Sequence, residues 1–216
     1  AEMSEAQKRA AIQGYYASIS FVDEQVGKVL NALEAAGLAQ ETLVVFTSDH
    51  GYQLGSHGLW QKRDLFENSV RTPLVIAAPG GLDAGQVTDT LVELVDLYPT
   101  LVSLAGLDPP VSRLEGHDLR AVLDGAIPPR DTALSQAWSA AGWVRPEFRD
   151  GDIMGYTIRT DRYRYTEWGG GAKGVELYDY ETDPFEYRNL AGDPAASDVL
   201  ARVSGLLRAR LAKLRP

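Results

Sequence analysis

Apolar residues recur in steps of three and four through the first segment: Ile12, Tyr16, Ile19, Val22, Val26, Val29 and Leu33. That spacing lines one face of a long helix. Ser4 and Gln7 have capping-box spacing at its start, and Gly37 supplies a stop at its end. The helical period then gives way to an unbroken apolar run, TLVVFT (Thr42 to Thr47), of the β-branched kind that a buried parallel strand carries. PLVIAAP (Pro73 to Pro79) is a second such run, with a proline at each end. Helix, strand, long loop, strand is the grammar of an α/β fold.

After GGLDAG (Gly80 to Gly85), VTDTLVELV leads into DLYPTLVSLAG, which predicts a helix capped by Asp96 and stopped by Gly106. DPPVSRLEG reads as loop and GHDLRAVLDG as a short helix. From about Asp131 the pattern shifts to short strands rich in aromatic and β-branched residues: ALSQAW, GYTIRT, RYRYTEW and VELYDYETD. GGGAKG (Gly169 to Gly174) between two of them reads as a hairpin loop. The final segment has Asp193 as N-cap, Pro194 at the first helical position, and apolar Val199, Val203, Leu207, Leu211 and Leu214 on one face. Its basic residues, Arg208, Arg210, Lys213 and Arg215, read as solvent-exposed and favour the dipole at that end. The expectation is an α/β region over residues 1–125, then a small antiparallel sheet with a packed C-terminal helix over 126–216. The boundary falls between Asp108 and Arg130.

The totals narrow the class. With 216 residues, 44% hydrophobic and 24% charged, the chain can bury a sizeable core. No apolar run approaches the ~20 residues that span a membrane, and no basic-then-apolar leader is visible. A net charge of −9 disfavours nucleic acid and anionic membrane as partners, and any anion site must be built locally. There is no cysteine, which excludes disulfides and thiolate metal sites.

The chemistry concentrates in TSDHGYQLGSHGLWQK (Thr47 to Lys62), which holds two of the three histidines and follows directly on the first strand run. Ligands of open α/β sheets sit outside the carboxyl ends of strands. There, Asp49 beside His50 can hold a divalent cation, and Lys62 can meet an anionic group. The bland alternative is a turn capped by Asp49, with His50 packed beside it and Lys62 solvated. Residue types and spacing leave both open.

The order of motifs adds to this. SDHG, then GSHGLWQK, then RTPLVIAAPG is similar to the second signature region of the sulfatase family, in the alkaline-phosphatase superfamily. YYASISFVDEQVGKVLNAL resembles the helix before that strand, and VELVDLYPTLVSLAG the segment after it. GYTIRTDRYRYTEW and ELYDYETDPFEYRNLA resemble the family's C-terminal subdomain, most closely in its iduronate-2-sulfatase-like members. The fold implied is part of an alkaline-phosphatase-like mixed sheet with flanking helices. By resemblance, Asp49 ligates calcium and His50 is a second ligand or touches the sulfate. Lys62 binds a sulfate oxygen and stabilises the leaving ester oxygen. His57, Tyr52 and Trp60 are candidates to face substrate, each with an equally good packing role, and Arg63 has the same two readings. Trp138, Trp143 and Trp168 could stack on sugar rings, though aromatics in short strands are more often core. His117, in EGHDL, reads as structural.

The chain departs from the family decisively. Sulfatases carry a Cys/Ser-x-Pro-x-Arg motif whose first residue becomes formylglycine, and no such motif is encoded here. The acidic pair that supplies the other calcium ligands is also absent. The chain therefore reads as the C-terminal half of a sulfatase, inactive alone, with the nucleophile on a complementary N-terminal chain or segment. Its implied substrate is a sulfated small molecule or saccharide, and the family favours an extracytoplasmic setting. Two alternatives are a phosphonate monoester or phosphodiester hydrolase of the same superfamily, and a noncatalytic sulfatase-like binding module. In a split enzyme this chain would expose a large apolar face.

Overall fold

The computed structural model describes residues 3–79, 85–108, 114–139 and 153–214. They fall into two compact units, one of residues 1–48, 52–61 and 73–86 and one of residues 49–51, 62–72 and 87–216.

In the first unit, α1 runs Glu5–Ala35. Its capping box forms as the sequence predicts: Ser4 N–H donates to Gln7 Oε1 at 2.8 Å, and Gln7 N–H to Ser4 Oγ at 3.3 Å. At the other end Gly37 takes φ 71°, its N–H bonding the Glu34 carbonyl while Leu38 N–H bonds that of Leu33. Those paired bonds are a Schellman motif, which glycine permits by entering the left-handed region without steric cost. No residue of α1 is buried, and Tyr16, Ile19, Phe21, Val22, Val29 and Leu30 are exposed.

Four short strands complete that unit: β1 (Val44–Thr47), β2 (Gln53–Leu54), β3 (Trp60–Gln61) and β4 (Leu74–Ala77). β1 pairs with β4, Phe46 opposite Val75, and β2 pairs with β3. The expected buried parallel strand is corrected on both counts. β1 and β4 run antiparallel, and Phe46 and Val75 are 45% and 59% exposed. An apolar run has the same composition whichever way its neighbour runs, and among the described residues no third strand joins the pair.

The second unit contains α2 (Glu67–Val70), α3 (Leu97–Leu104), α4 (Leu119–Leu123) and an antiparallel meander. Its strands are β5 (Ala133–Ser139), β6 (Ile153–Arg159), β7 (Tyr163–Trp168) and β8 (Val175–Asp179), in that spatial order, followed by α5 (Ser197–Lys213). The expected small antiparallel sheet with a packed C-terminal helix is thus present. Val203 and Leu207 of α5 meet Ile158, Tyr165 and Leu177 on one face of the sheet. Burying each such aliphatic side chain contributes about 1.5–3 kcal/mol. The opposite face packs Ile153 and Trp168 against Leu65. Gly155 makes this possible, because a Cβ there would lie 2.6 Å from the Trp168 ring.

Two local expectations fail. Asp96 stands at the N-cap position of α3, but its side chain makes no capping bond to that helix. The helix is entered one turn earlier, through Leu94–Asp96 with Glu93 as cap, and Asp96 is wholly buried. It accepts from the N–H groups of Glu93 (2.8 Å) and His117 (2.7 Å) and from Arg130 Nε (3.1 Å). Burial pushes its carboxyl up, but the Arg130 bond and the two backbone donors outweigh burial and hold it below the usual range. Arg210 is not simply solvated either. It donates to Glu93 Oε2 at 2.7 Å, and Glu93 also accepts from Leu134 N–H at 2.8 Å. A helical basic stripe cannot reveal that one member has a buried carboxylate within reach.

Trp168 is 1% exposed and belongs to the core, whereas Trp138 is 51% exposed. Leu214 is 41% exposed at the end of α5 rather than part of its packed stripe. Trp143, Arg215 and the loop residues 80–84 lie outside the described residues.

Candidate active site

Ser48 to Gly51 leave β1 in a turn whose backbone is laid against α2. Gly51 N–H donates to the Ser69 carbonyl at 2.8 Å, and a Cβ on Gly51 would stand 1.9 Å from the Asn68 carbonyl oxygen. Only glycine fits so close a backbone approach. The neighbouring His50 is thereby aimed: its Nδ1 lies 2.8 Å from the Gly51 carbonyl oxygen. A carbonyl can only accept, so Nδ1 carries the hydrogen and Nε2 faces the other way.

What Nε2 faces is Asp49 and Lys62. Asp49 Oδ2 lies 3.2 Å from it, and Lys62 Nζ bonds it directly. Asp49 is 80% exposed and His50 33%. Lys62 stands between Gln61 at φ 99° and Arg63 at φ 113°. Side chains rarely adopt that backbone region, and holding them there costs on the order of 1–3 kcal/mol each. Such strain concentrates where a loop must present a side chain in one place.

Asp49 Oδ2 and the Nε2 of a neutral His50 are both electron-pair donors, a hard oxygen and an imidazole nitrogen side by side. That donor pair fits a divalent cation. It is an incomplete set, since among the described residues no group of three or more metal-ligating side chains occurs. A positive Lys62 beside them suits an anion bound to the same cation.

The structure gathers Asp49, His50 and Lys62 in one unit, while Tyr52, His57 and Trp60 belong to the other. Tyr52 packs on Tyr15 of α1, ring centroids 5.2 Å apart. The Trp60 ring lies over Gly55, which has φ 104° and whose Cβ would approach it to 3.2 Å. His57 takes φ 57° in the turn Ser56–Gly58, a loop-forming geometry.

Three residues behind the trio carry no sequence expectation: Asp64, Glu67 and Glu186. Asp64 is buried and accepts from Phe66 N–H (3.0 Å) and Ser69 Oγ–H (2.7 Å), which shapes α2. Glu67 and Glu186 pair with buried Arg164. Glu186 was visible only as part of ETDPFEYRN, where nothing local says which acidic residue turns inward.

Comparison with known proteins bears on this geometry. The model described as Sulfatase matches residues 2–107, and that described as N-sulphoglucosamine sulphohydrolase, C-terminal, matches 55–215. Iduronate 2-sulfatase of Mus musculus is 35% identical over 86% of this chain and 45% of its own length. The chain spans about half the length of the curated relatives it matches. A solved structure described as a complex with its substrate D-glucosamine-2-N,6-O-disulfate superposes with a TM-score of 0.84. It is 28% identical, over 97% of this chain and 42% of that one. Phosphonate monoester hydrolase of Agrobacterium radiobacter superposes at 0.75 and is 30% identical, over 92% of this chain and 40% of that one.

Proposed function

The chain belongs to the sulfatase family, and from that premise we propose that it supplies one side of an active site hydrolysing sulfate monoesters of sugars. The observation that carries the proposal is the convergence of Asp49 Oδ2, His50 Nε2 and Lys62 Nζ. Lys62 binds a sulfate oxygen and holds its ammonium toward the ester oxygen, where negative charge grows as the bond breaks. Asp49 and His50 would hold a calcium ion, which when bound neutralises charge on the sulfuryl oxygens. In the neutral imidazole, the bond to the Gly51 carbonyl places the hydrogen on Nδ1 and makes Nε2 the electron-pair donor.

Two ligands fall short of the roughly six to eight that calcium takes. The remaining ligands and the formylglycine nucleophile therefore come, in this proposal, from a complementary N-terminal sulfatase segment outside this sequence. The exposed apolar residues of α1, β1 and β4, such as Phe21, Val29, Phe46 and Val75, support such a partner. Phe46 and Val75 lie opposite one another across β1 and β4, and exposed apolar neighbours of this kind mark a contact in a folded protein. Alone, the chain would be inactive.

A saccharide sulfate is favoured by what the relatives act on: iduronate 2-sulfatase by its description, and the glucosamine disulfate held in the solved complex. With a net charge of −9, a terminal sugar or short oligosaccharide suits this chain better than a long polyanion. The test is sulfate release from glucosamine 6-O-sulfate, by this chain alone and with the complementary segment. Turnover only in the combination is expected; turnover by the chain alone would overturn it.

The likeness to phosphonate monoester hydrolase favours one alternative, a phosphonate or phosphodiester substrate. Preference for a phosphonate monoester over a sulfate ester in the same assay would establish it. A noncatalytic binding module is disfavoured, because a site relieved of catalysis has no reason to keep all three side chains together.

A further inference from the structure

Arg164 and Glu186 are each 2% exposed, and they bond one another beneath the sheet. Glu186 takes φ 59°, while its neighbours Phe185 and Tyr187 are exposed aromatics. The chain therefore turns one carboxylate inward against both its backbone preference and the cost of burying charge. Buried ion pairs contribute little net stability, and their best-attested role is to fix one geometry. What this pair fixes is Glu67, the first residue of α2. Glu186 Oε2 accepts the Glu67 N–H at 2.8 Å, Arg164 pairs with the Glu67 carboxylate, and Tyr180 O–H lies 3.2 Å from it. Arg164 Nε and Tyr180 O–H both donate to Glu186 Oε1, at 2.6 and 2.5 Å.

α2 in turn holds the trio. Its Ser69 carbonyl receives the Gly51 N–H, its Asn68 carbonyl leaves Gly51 no room for a side chain, and its Ser69 hydroxyl ties it to Asp64, two residues from Lys62. His50 is adjacent to Gly51 and takes its orientation from the Gly51 carbonyl. We propose that Glu186 and Arg164 are positioning residues that act through Glu67 and Ser69 to set His50 and Lys62 at their working separation. The inference rests on the sulfate-ester reading of that trio. Small misplacements of reacting groups can cost on the order of 100-fold in rate, so a buried knot well behind the trio can govern turnover without touching substrate.

The experiment uses the protein complete with its nucleophile-bearing segment and compares Glu186→Gln with wild type. Glutamine keeps the shape but turns a donor toward either the Glu67 N–H or Arg164. The expected result is kcat at least 10-fold lower with KM within threefold. Hydrogen exchange at the Gly51 amide should speed at least 10-fold, while the Ile158 and Tyr165 amides keep their protection. Unchanged kcat in a folded variant overturns the proposal. So does a loss of kcat that accompanies loss of protection across β6 and β7, because that is a general structural role. If Glu186→Gln does not fold, Glu67→Gln at the partly exposed end of the knot is judged by the same two readouts. Lys62→Ala run alongside separates the two ideas. Wild-type turnover in Lys62→Ala overturns the sulfate-site reading, whereas impaired Lys62→Ala beside unimpaired Glu186→Gln overturns positioning alone.

Discussion

His50 presents Nδ1 to the Gly51 carbonyl oxygen at 2.8 Å, and this bond decides what the opposite ring nitrogen can do. With its hydrogen spent on Gly51, a neutral His50 offers an electron pair to the Lys62 ammonium, with Asp49 Oδ2, a second electron-pair donor, beside it. Gly51 thus serves the site twice, its carbonyl orienting the imidazole and its N–H docking the turn on Ser69.

Gly51→Ala is the first consequence. Its Cβ would meet the Asn68 carbonyl oxygen at 1.9 Å, a backbone atom that cannot swing aside. The expected loss is about 1–3 kcal/mol, the scale of overpacking, read as a lower denaturant midpoint at unchanged slope. A wild-type midpoint would mean that the turn is free to lift off α2.

Asp96 is the second. It is wholly buried and joins Arg130 to the backbone of His117 and Glu93. Removing it takes the nearest carboxylate from a buried arginine and leaves it Glu93 at 3.6 Å, so Asp96→Ala should cost about 3 kcal/mol. Thermal melts of the variant beside Asp124→Ala, an exposed aspartate of the same unit, would show the difference. Equal melting points would remove Asp96 from any structural role.

Acid sensitivity is the third. Burial first, then the charge of Arg130, holds His117 below the usual imidazole range. Between the unfolded value of about 6.5 and the lower folded one, the unfolded chain binds the extra proton, so stability falls as pH falls through that window. Asp96 acts lower still, its contribution present above the unfolded aspartate value and lost as pH drops through its depressed folded one. Melting temperature measured from pH 8 to 5 should decline in wild type and flatten in His117→Gln. Parallel curves would count against His117.

The elements legible in the sequence are those fixed by neighbours a few residues apart. The period of α1, the Ser4–Gln7 box, the Gly37 stop and the meander of β6, β7 and β8 all follow from local spacing. The Thr47 to Lys62 stretch stood out by residue type, but spacing alone left a polar turn equally open there, and it was the resemblance to the sulfatase family that singled out Asp49, His50 and Lys62. What stayed hidden is long-range. Arg164 and Glu67 lie 97 residues apart and Arg130 and Asp96 34 apart, and no period marks which charged residues will turn inward. Strand direction was hidden too, because Val44 to Phe46 carry the same apolar side chains beside an antiparallel neighbour as beside a parallel one.

The apolar side of the first unit gives a fourth prediction. Phe46 and Val75 face each other across β1 and β4 and stay exposed, as do Phe21 and Val29 of α1. The isolated chain should therefore bind a hydrophobic dye strongly and self-associate, and adding the complementary segment should suppress both. Dye fluorescence unaffected by that segment would place its contact elsewhere.

The most direct test is sulfate release by the complete enzyme carrying Lys62→Ala or Asp49→Ala. The site described here predicts a loss on the order of 100-fold or more for Lys62→Ala, comparable with removing an oxyanion donor. For Asp49→Ala it predicts loss of metal-dependent turnover. Less than threefold change for Lys62→Ala together with wild-type turnover for Asp49→Ala would contradict it, leaving the cluster a polar turn on the surface.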